Sequence, residues 1–176
     1  MFKQYSSCVL LLALACSGCV SHYQPVKSDR AATFTLVRGA TELGAKSLQE
    51  YEAYRDASCT KAPGTGRLAA LLTYGSQTKT AKIEPEKPIY LLAKTSLFGT
   101  APRRDGDDIN VRFYLTTDSC MNLVRFTPNP SGTYEVQQEA STGGCTLTVL
   151  DSSTSRAPGD LVIEDARSCA APAPKS

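Results

Sequence analysis

The chain holds a single imidazole, His22, against 17 Asp plus Glu and seven Cys. A nucleophile activated by histidine needs that base within hydrogen-bond reach, and His22 stands in a polar N-terminal stretch. No Ser/His/Asp or Cys/His set can therefore be assembled inside the body of the chain. Carboxylates are the remaining proton-transfer groups: two of them flanking a glycosidic bond would support cofactor-free glycan hydrolysis, although no spacing marks out such a pair. The densest cluster is Asp105, Asp107 and Asp108 around Gly106. It lacks the alternating ligands and closing Glu of a calcium loop, and reads as a solvated hairpin turn balanced by Arg103 and Arg104. Zinc held by cysteine requires closely spaced pairs, whereas Cys59, Cys120, Cys145 and Cys169 are far apart with no His to assist. No metal or cofactor is implied.

Composition narrows the class further. With 41% hydrophobic and 20% charged residues, the chain reads as one globular domain rather than a disordered or membrane-spanning protein. The net charge is only +2 and both signs are scattered, without the basic stripe that nucleic-acid binding requires. A polybasic attachment to anionic lipid is equally unsupported.

The N terminus has the parts of a secretory signal: Lys3, an apolar run from Cys8 to Ala15, and the small residues Ser17 and Gly18 before Cys19. The run is far shorter than the roughly 20 residues needed to span a bilayer. The stretch Leu14-Ala15-Cys16-Ser17-Gly18-Cys19 resembles the lipobox of bacterial lipoproteins, departing from it in having Cys16 where an aliphatic residue is usual. The resemblance implies a diacylglycerol on the Cys19 thiol after cleavage, with Cys16 as the alternative acceptor. Val20 follows, in place of the Asp that retains many such proteins at the inner membrane, so the implied destination is the outer membrane of a bacterial envelope.

Removal of Cys8 and Cys16 with the signal, and assignment of Cys19 to lipid, leaves Cys59, Cys120, Cys145 and Cys169. An even count in an exported chain reads as two disulfides, with three possible pairings. Cys120 shares strand parity with Val124 and Phe126, and Cys145 shares parity with Leu147 and Val149. That parity favours Cys120 with Cys145, leaving Cys59 with Cys169.

These groups must be carried by strands. Ile109 to Thr116 alternates apolar and polar residues throughout, the pattern of a half-buried strand. Weaker alternation marks Thr33 to Val37, Lys79 to Ile83, Ile89 to Lys94, Asn122 to Phe126, Thr133 to Gln138, Cys145 to Leu150 and Leu161 to Glu164. Turn clusters such as Pro128-Asn129-Pro130-Ser131-Gly132 separate them, which favours an antiparallel sandwich or barrel. The sequence Ser47-Leu48-Gln49-Glu50 has the form of a capping box and predicts one short helix over Ser47 to Ala57. Arg67 to Tyr74 fits either a helical turn or a buried strand. The expected organisation is a signal (1–18), a lipidated cysteine and tether (19–30), one mainly β domain (31–169) and a disordered Pro/Ala tail (170–176).

Cys120-Met121-Asn122-Leu123-Val124-Arg125-Phe126-Thr127-Pro128, Gly132-Thr133-Tyr134-Glu135-Val136, Gly144-Cys145-Thr146-Leu147-Thr148-Val149 and the preceding Pro88-Ile89-Tyr90-Leu91 are together similar to small uncharacterised proteobacterial lipoproteins. The likeness implies a β-rich, disulfide-bonded domain and no reaction. Tyr51, Tyr54, Tyr74 and Tyr114 read either as core and strand-edge residues or as a recognition surface. The functional expectation is a non-enzymatic envelope lipoprotein that binds an envelope protein or glycan; a glycan hydrolase using two carboxylates is the alternative.

Overall fold

The computed structural model describes residues 22–25, 27–41, 46–105, 108–114, 119–141 and 144–169, with side chains described outside 99–119. Residues 1–21, with the expected signal, Cys16 and Cys19, and the expected tail from 170 lie outside the described residues. The strands are β1 (Ala32–Thr41), β2 (Lys46–Tyr54), β3 (Gly66–Leu72), β4 (Thr78–Ile83), β5 (Ile89–Asp105), β6 (Asp108–Tyr114), β7 (Ser119–Phe126), β8 (Thr133–Ser141), β9 (Gly144–Asp151) and β10 (Val162–Glu164), followed by a 3-10 turn at Ala166–Cys169. They form a mainly β sandwich. One sheet runs β4-β1-β8-β9; the other runs β10-β7-β5-β2-β3, with β6 paired to β5 alone.

Alternation explains the stacking. Phe34 and Leu36 of β1 and Tyr134 and Val136 of β8 turn inward from one sheet, meeting Tyr51, Leu91, Val124 and Phe126 from the other in one buried cluster. Phe34 stacks on Phe126 with ring centroids 5.6 Å apart, and Tyr134 meets both rings at 5.5 and 5.3 Å. Aromatic contacts of this kind add about 0.5–1.5 kcal/mol each beyond their buried area. The Pro128–Gly132 turn closes over Tyr134, whose hydroxyl accepts the Asn129 N–H at 2.8 Å. At the exposed edge strand β4, Lys79 and Lys82 present charge to solvent, which discourages edge-to-edge pairing.

One pairing is not antiparallel: β1 lies parallel to β8, from Thr33 beside Thr133 to Arg38 beside Gln138. No crossover helix is needed, because the connection between them passes through the opposite sheet. The ladder is then interrupted, resuming with Thr41 beside Ala140. Two side chains of β2 cross from the other sheet to complete it. Gln49 accepts from Gly39 N at 2.9 Å and donates to Gln138 O at 2.9 Å and Gly39 O at 3.3 Å. The Tyr51 hydroxyl donates to Val37 O at 2.7 Å and accepts from Gln138 N at 3.0 Å. A Cβ on Gly39 would lie 2.0 Å from Gln138 O, so only glycine fits at the interruption.

The helix expected over Ser47–Ala57 is therefore a strand, β2. Ser47, Gln49, Tyr51 and Ala53 all point inward and are buried, but two of the four are polar, which hides the alternation from a hydropathy reading. Ser47 accepts from the Arg38 guanidinium at 2.8 Å and donates its N–H to Thr73 Oγ1 at 2.6 Å, so the serine of the apparent capping box caps no helix. The only helical turn among the described residues is Ala166–Cys169. The ambiguous Arg67–Tyr74 segment is strand β3 as far as Leu72 and a turn thereafter.

Within the stretch read as a tether, His22 and Tyr23 dock on the sandwich. His22 bridges to Arg67 in parallel, Tyr23 N donates to Arg67 O at 3.1 Å, and the Tyr23 ring is buried in the core. A lone aromatic in a polar run carries no periodic signal, which is why it escapes a sequence reading.

Replacing Tyr51 by Phe keeps the ring but strands Val37 O and Gln138 N inside the protein. The expected loss is about 1–3 kcal/mol in urea unfolding at neutral pH. Burial pushes the Tyr51 hydroxyl up from 10.0 to about 12. A folded-state value raised in this way stabilises below the unfolded value and is lost as pH rises, so wild-type stability should decline between pH 10 and about 12 more steeply than that of Tyr51→Phe.

Candidate functional site

On the outward face of the six-stranded sheet, strand geometry sets Glu50, Glu52 and Tyr54 of β2 in a row. The register brings Leu92 and Lys94 of β5 beside Glu52 and Glu50 on one side, and Arg67 of β3 beside Glu52 on the other. Lys94 Nζ stands 3.2 Å from Glu52 Oε2 and Arg67 Nη2 stands 3.0 Å from Glu50 Oε1. The Tyr54 hydroxyl donates to Glu52 Oε2; burial first, and then this bond, push its pKa up. Lys61, Arg67 and the Cys59–Cys169 disulfide complete a recess of about 310 Å³ around this row.

These carboxylates were not legible as a pair, because in a helix residues two apart diverge, whereas in a strand they share a face. They are the nearest arrangement to the two-carboxylate set of the hydrolase reading. Each is clasped by a cation from a neighbouring strand, and the chemistry this performs is to tie β2 to β3 and β5 while half buried.

A second recess, of about 640 Å³, lies beside the Asp151–Asp160 loop and is lined by Thr127, Asn129, Asp151, Arg156 and Asp160 among others. Its carboxylates also brace backbone. Asp151 accepts from Ser153 N at 2.8 Å and from the Ser153 hydroxyl at 2.5 Å, bonds that hold its carboxyl below the usual range. Asp160 accepts from Thr127 N at 2.9 Å.

Both disulfides join the pairs that parity favours. Cys120 of β7 reaches Cys145 of β9 with Cα atoms 5.8 Å apart, linking the two sheets. Cys59 reaches Cys169 with Cα atoms 4.9 Å apart, strapping the C-terminal turn over Tyr54, Leu92 and Leu123 on the outer face. Among the described side chains, Tyr51, Tyr54 and Tyr74 do not gather into one surface. Tyr51 is fully buried on the inner face, Tyr54 lies under the strap, and Tyr74 is 83% exposed at the far end beneath the Lys46 ammonium. Tyr114 is on β6, where side chains lie outside the described residues.

Of the Asp105, Asp107 and Asp108 cluster, Asp105 pairs with Asp108 and pairing continues back to Gly99 with Tyr114, while Asp107 lies outside the described residues. Beyond Phe98, then, β5 leaves the sheet and forms a two-stranded ribbon with β6. The alternation of Ile109, Val111 and Phe113 falls on strand β6, which pairs with β5, while Leu115 and Thr116 lie outside the described residues.

Among the described residues no group of three His, Cys, Asp or Glu is placed to hold a metal ion, and no helix is long and apolar enough to cross a membrane. Comparison with family models, with curated proteins and with solved structures returns no match.

The two bridges close loops of unequal length, 110 and 25 residues. On the chain-entropy account, the Cys59→Ser/Cys169→Ser variant should lose about 5 kcal/mol and Cys120→Ser/Cys145→Ser about 3.5 kcal/mol. Urea unfolding of the two variants checks the order. The first should also expose the apolar patch around Leu92 and Leu123, read as increased binding of an apolar dye under native conditions.

Proposed function

We propose that this protein is a lipid-anchored bacterial envelope lipoprotein, a non-enzymatic binding module held at the membrane by Cys19 and presenting a β-ribbon to an envelope partner. The observation that carries the reading is the ribbon: β5 continues past the sheet from Gly99 to Asp105 and, among the described residues, pairs there only with β6. Its sequence alternates Ile109, Val111 and Phe113 with Asn110 and Arg112, a mix of apolar and arginine residues suited to a protein surface.

Three further features support it. The two bridges suit an oxidising compartment. The residues before Cys19 have the lipobox form. Glu50, Glu52, Asp151 and Asp160 hold backbone or cations and thereby build the scaffold, whereas a hydrolase would set two of them across an open cleft.

Labelled fatty acid should enter the wild-type chain and the Cys16→Ala variant, and should be lost from Cys19→Ala; the reverse pattern would make Cys16 the acceptor. Replacing Gly99–Tyr114 by a tight turn should leave the cooperative urea unfolding of the sandwich in place, because β5 and β6 pair with each other over these residues. The same variant should lose the crosslinks that the intact protein makes to a defined envelope partner in cells. Cleavage of peptidoglycan by the purified protein, abolished by Glu52→Gln, would instead establish the hydrolase.

A further inference from the structure

We infer that the sandwich sits directly on the lipid headgroups, with its β2–β3 and β4–β5 loop end against the bilayer and the β5–β6 ribbon pointing away from it. The inference rests on the proposed anchor at Cys19.

The direction comes from one bridge. His22 pairs with Arg67 in parallel, so the chain entering at His22 runs the same way as β3. Strand β3 begins at Gly66, beside Ala53, and ends at Leu72, beside Leu48. Traced backward, the chain direction at His22 therefore points toward the Gly66 end of β3. The Tyr23 N–H bond to Arg67 O and the burial of the Tyr23 ring fix that entry point in the core, so it does not swing.

The distance follows from covalent geometry. Three Cα steps separate Cys19 from His22, a reach of about 11 Å at most when fully extended. A domain whose entry point is held that close has no room to stand clear of the headgroup layer. The surface at this end includes the Ser58–Thr65 and Glu84–Pro88 connections. Its charges alternate in sign: Arg30 pairs with Glu86 at 3.0 Å and Lys87 with Glu84 at 2.6 Å, while Lys61 is exposed. Such mixed pairs suit zwitterionic headgroups, and seating should not depend on anionic lipid.

The ribbon occupies the other end. Leu92 lies level with Glu52 and Arg67, and Phe98 lies level with Lys46, where the sheet ends and the ribbon begins. From Leu92 to Asp105 the strand rises roughly 40 Å at about 3.3 Å per residue. The ribbon tip is thus the part of the described domain carried farthest from the membrane along β5.

The test uses the full acylated chain, with its acyl group located by mass spectrometry, in nanodiscs of zwitterionic lipid carrying a headgroup spin label. Amide signals of Lys61, Gly64 and Lys87 should lose most of their intensity, while those of Asp105 and Asp108 should keep theirs. Added anionic lipid should not change the pattern. Inserting about a dozen Gly/Ser residues between Ser21 and His22, with an average span of roughly 20 Å, should restore the lost signals. Broadening of the ribbon amides, or of neither end, in a chain acylated at Cys19 would overturn this orientation and leave the anchor standing. A chain without an acyl group at Cys19 would overturn the anchor and the orientation together.

Discussion

The structure depends on a hydrogen-bond repair made from across the core. Where β1 slips against β8, the backbone groups of Val37, Gly39 and Gln138 lose regular partners inside the protein. Gln49 and Tyr51, two inward residues of one strand in the facing sheet, supply them. Unpaired buried backbone groups would cost about 1–3 kcal/mol each, so the register interruption survives only with both side chains in place. The same contacts pin β2, the second-last strand of one sheet, over the middle of the other, and so set how the two sheets lie on each other. A polar layer continues from this point, with the Gln138 side chain 2.8 Å from Thr95 Oγ1 and 3.0 Å from Asn122, next to the Cys120–Cys145 bridge.

Below that layer the core is apolar and aromatic; above it the sheets are joined by polar groups and a disulfide. The molecule therefore has two unlike ends. One gathers the Pro128–Gly132 turn, the entry of the chain at Tyr23 and the Cys59–Cys169 strap, and is tied down by many separate contacts. The other gives rise to the ribbon, which hangs on the sheet through the continuity of β5 and its short link to β7. Rigidity at one end and reach at the other come from the same strand.

Much of this was legible in the sequence where inward positions are apolar. Phe34 and Leu36, Tyr134 and Val136, and Val124 and Phe126 announce their strands through simple alternation, and the same parity sorted the cysteines into their pairs. The reading failed at β2 because Ser47 and Gln49 are buried polar residues whose role lies in the opposite sheet, and a local capping box outweighed them. The row of Glu50 and Glu52 was hidden for the same reason, since it exists only once β2 is a strand with Arg67 and Lys94 on its flanks. The docking of Tyr23 depends on one side chain finding a cavity assembled by residues far along the chain, and nothing local encodes that.

The parallel pairing of β1 with β8 also constrains when the protein can fold. Thr33 must find Thr133, and Tyr51 must wait for Gln138, so neither the β1–β8 pairing nor its repair can form while only the N-terminal half of the chain is present. Loop closure over such separations is entropically costly and makes folding slow compared with helical or hairpin-only topologies. The β1–β4 and β2–β3–β5 pairings lie within the first 98 residues, so the β1–β8 ladder and its two cross-sheet bonds act as a late clasp that closes the sandwich only once the last third of the chain has arrived.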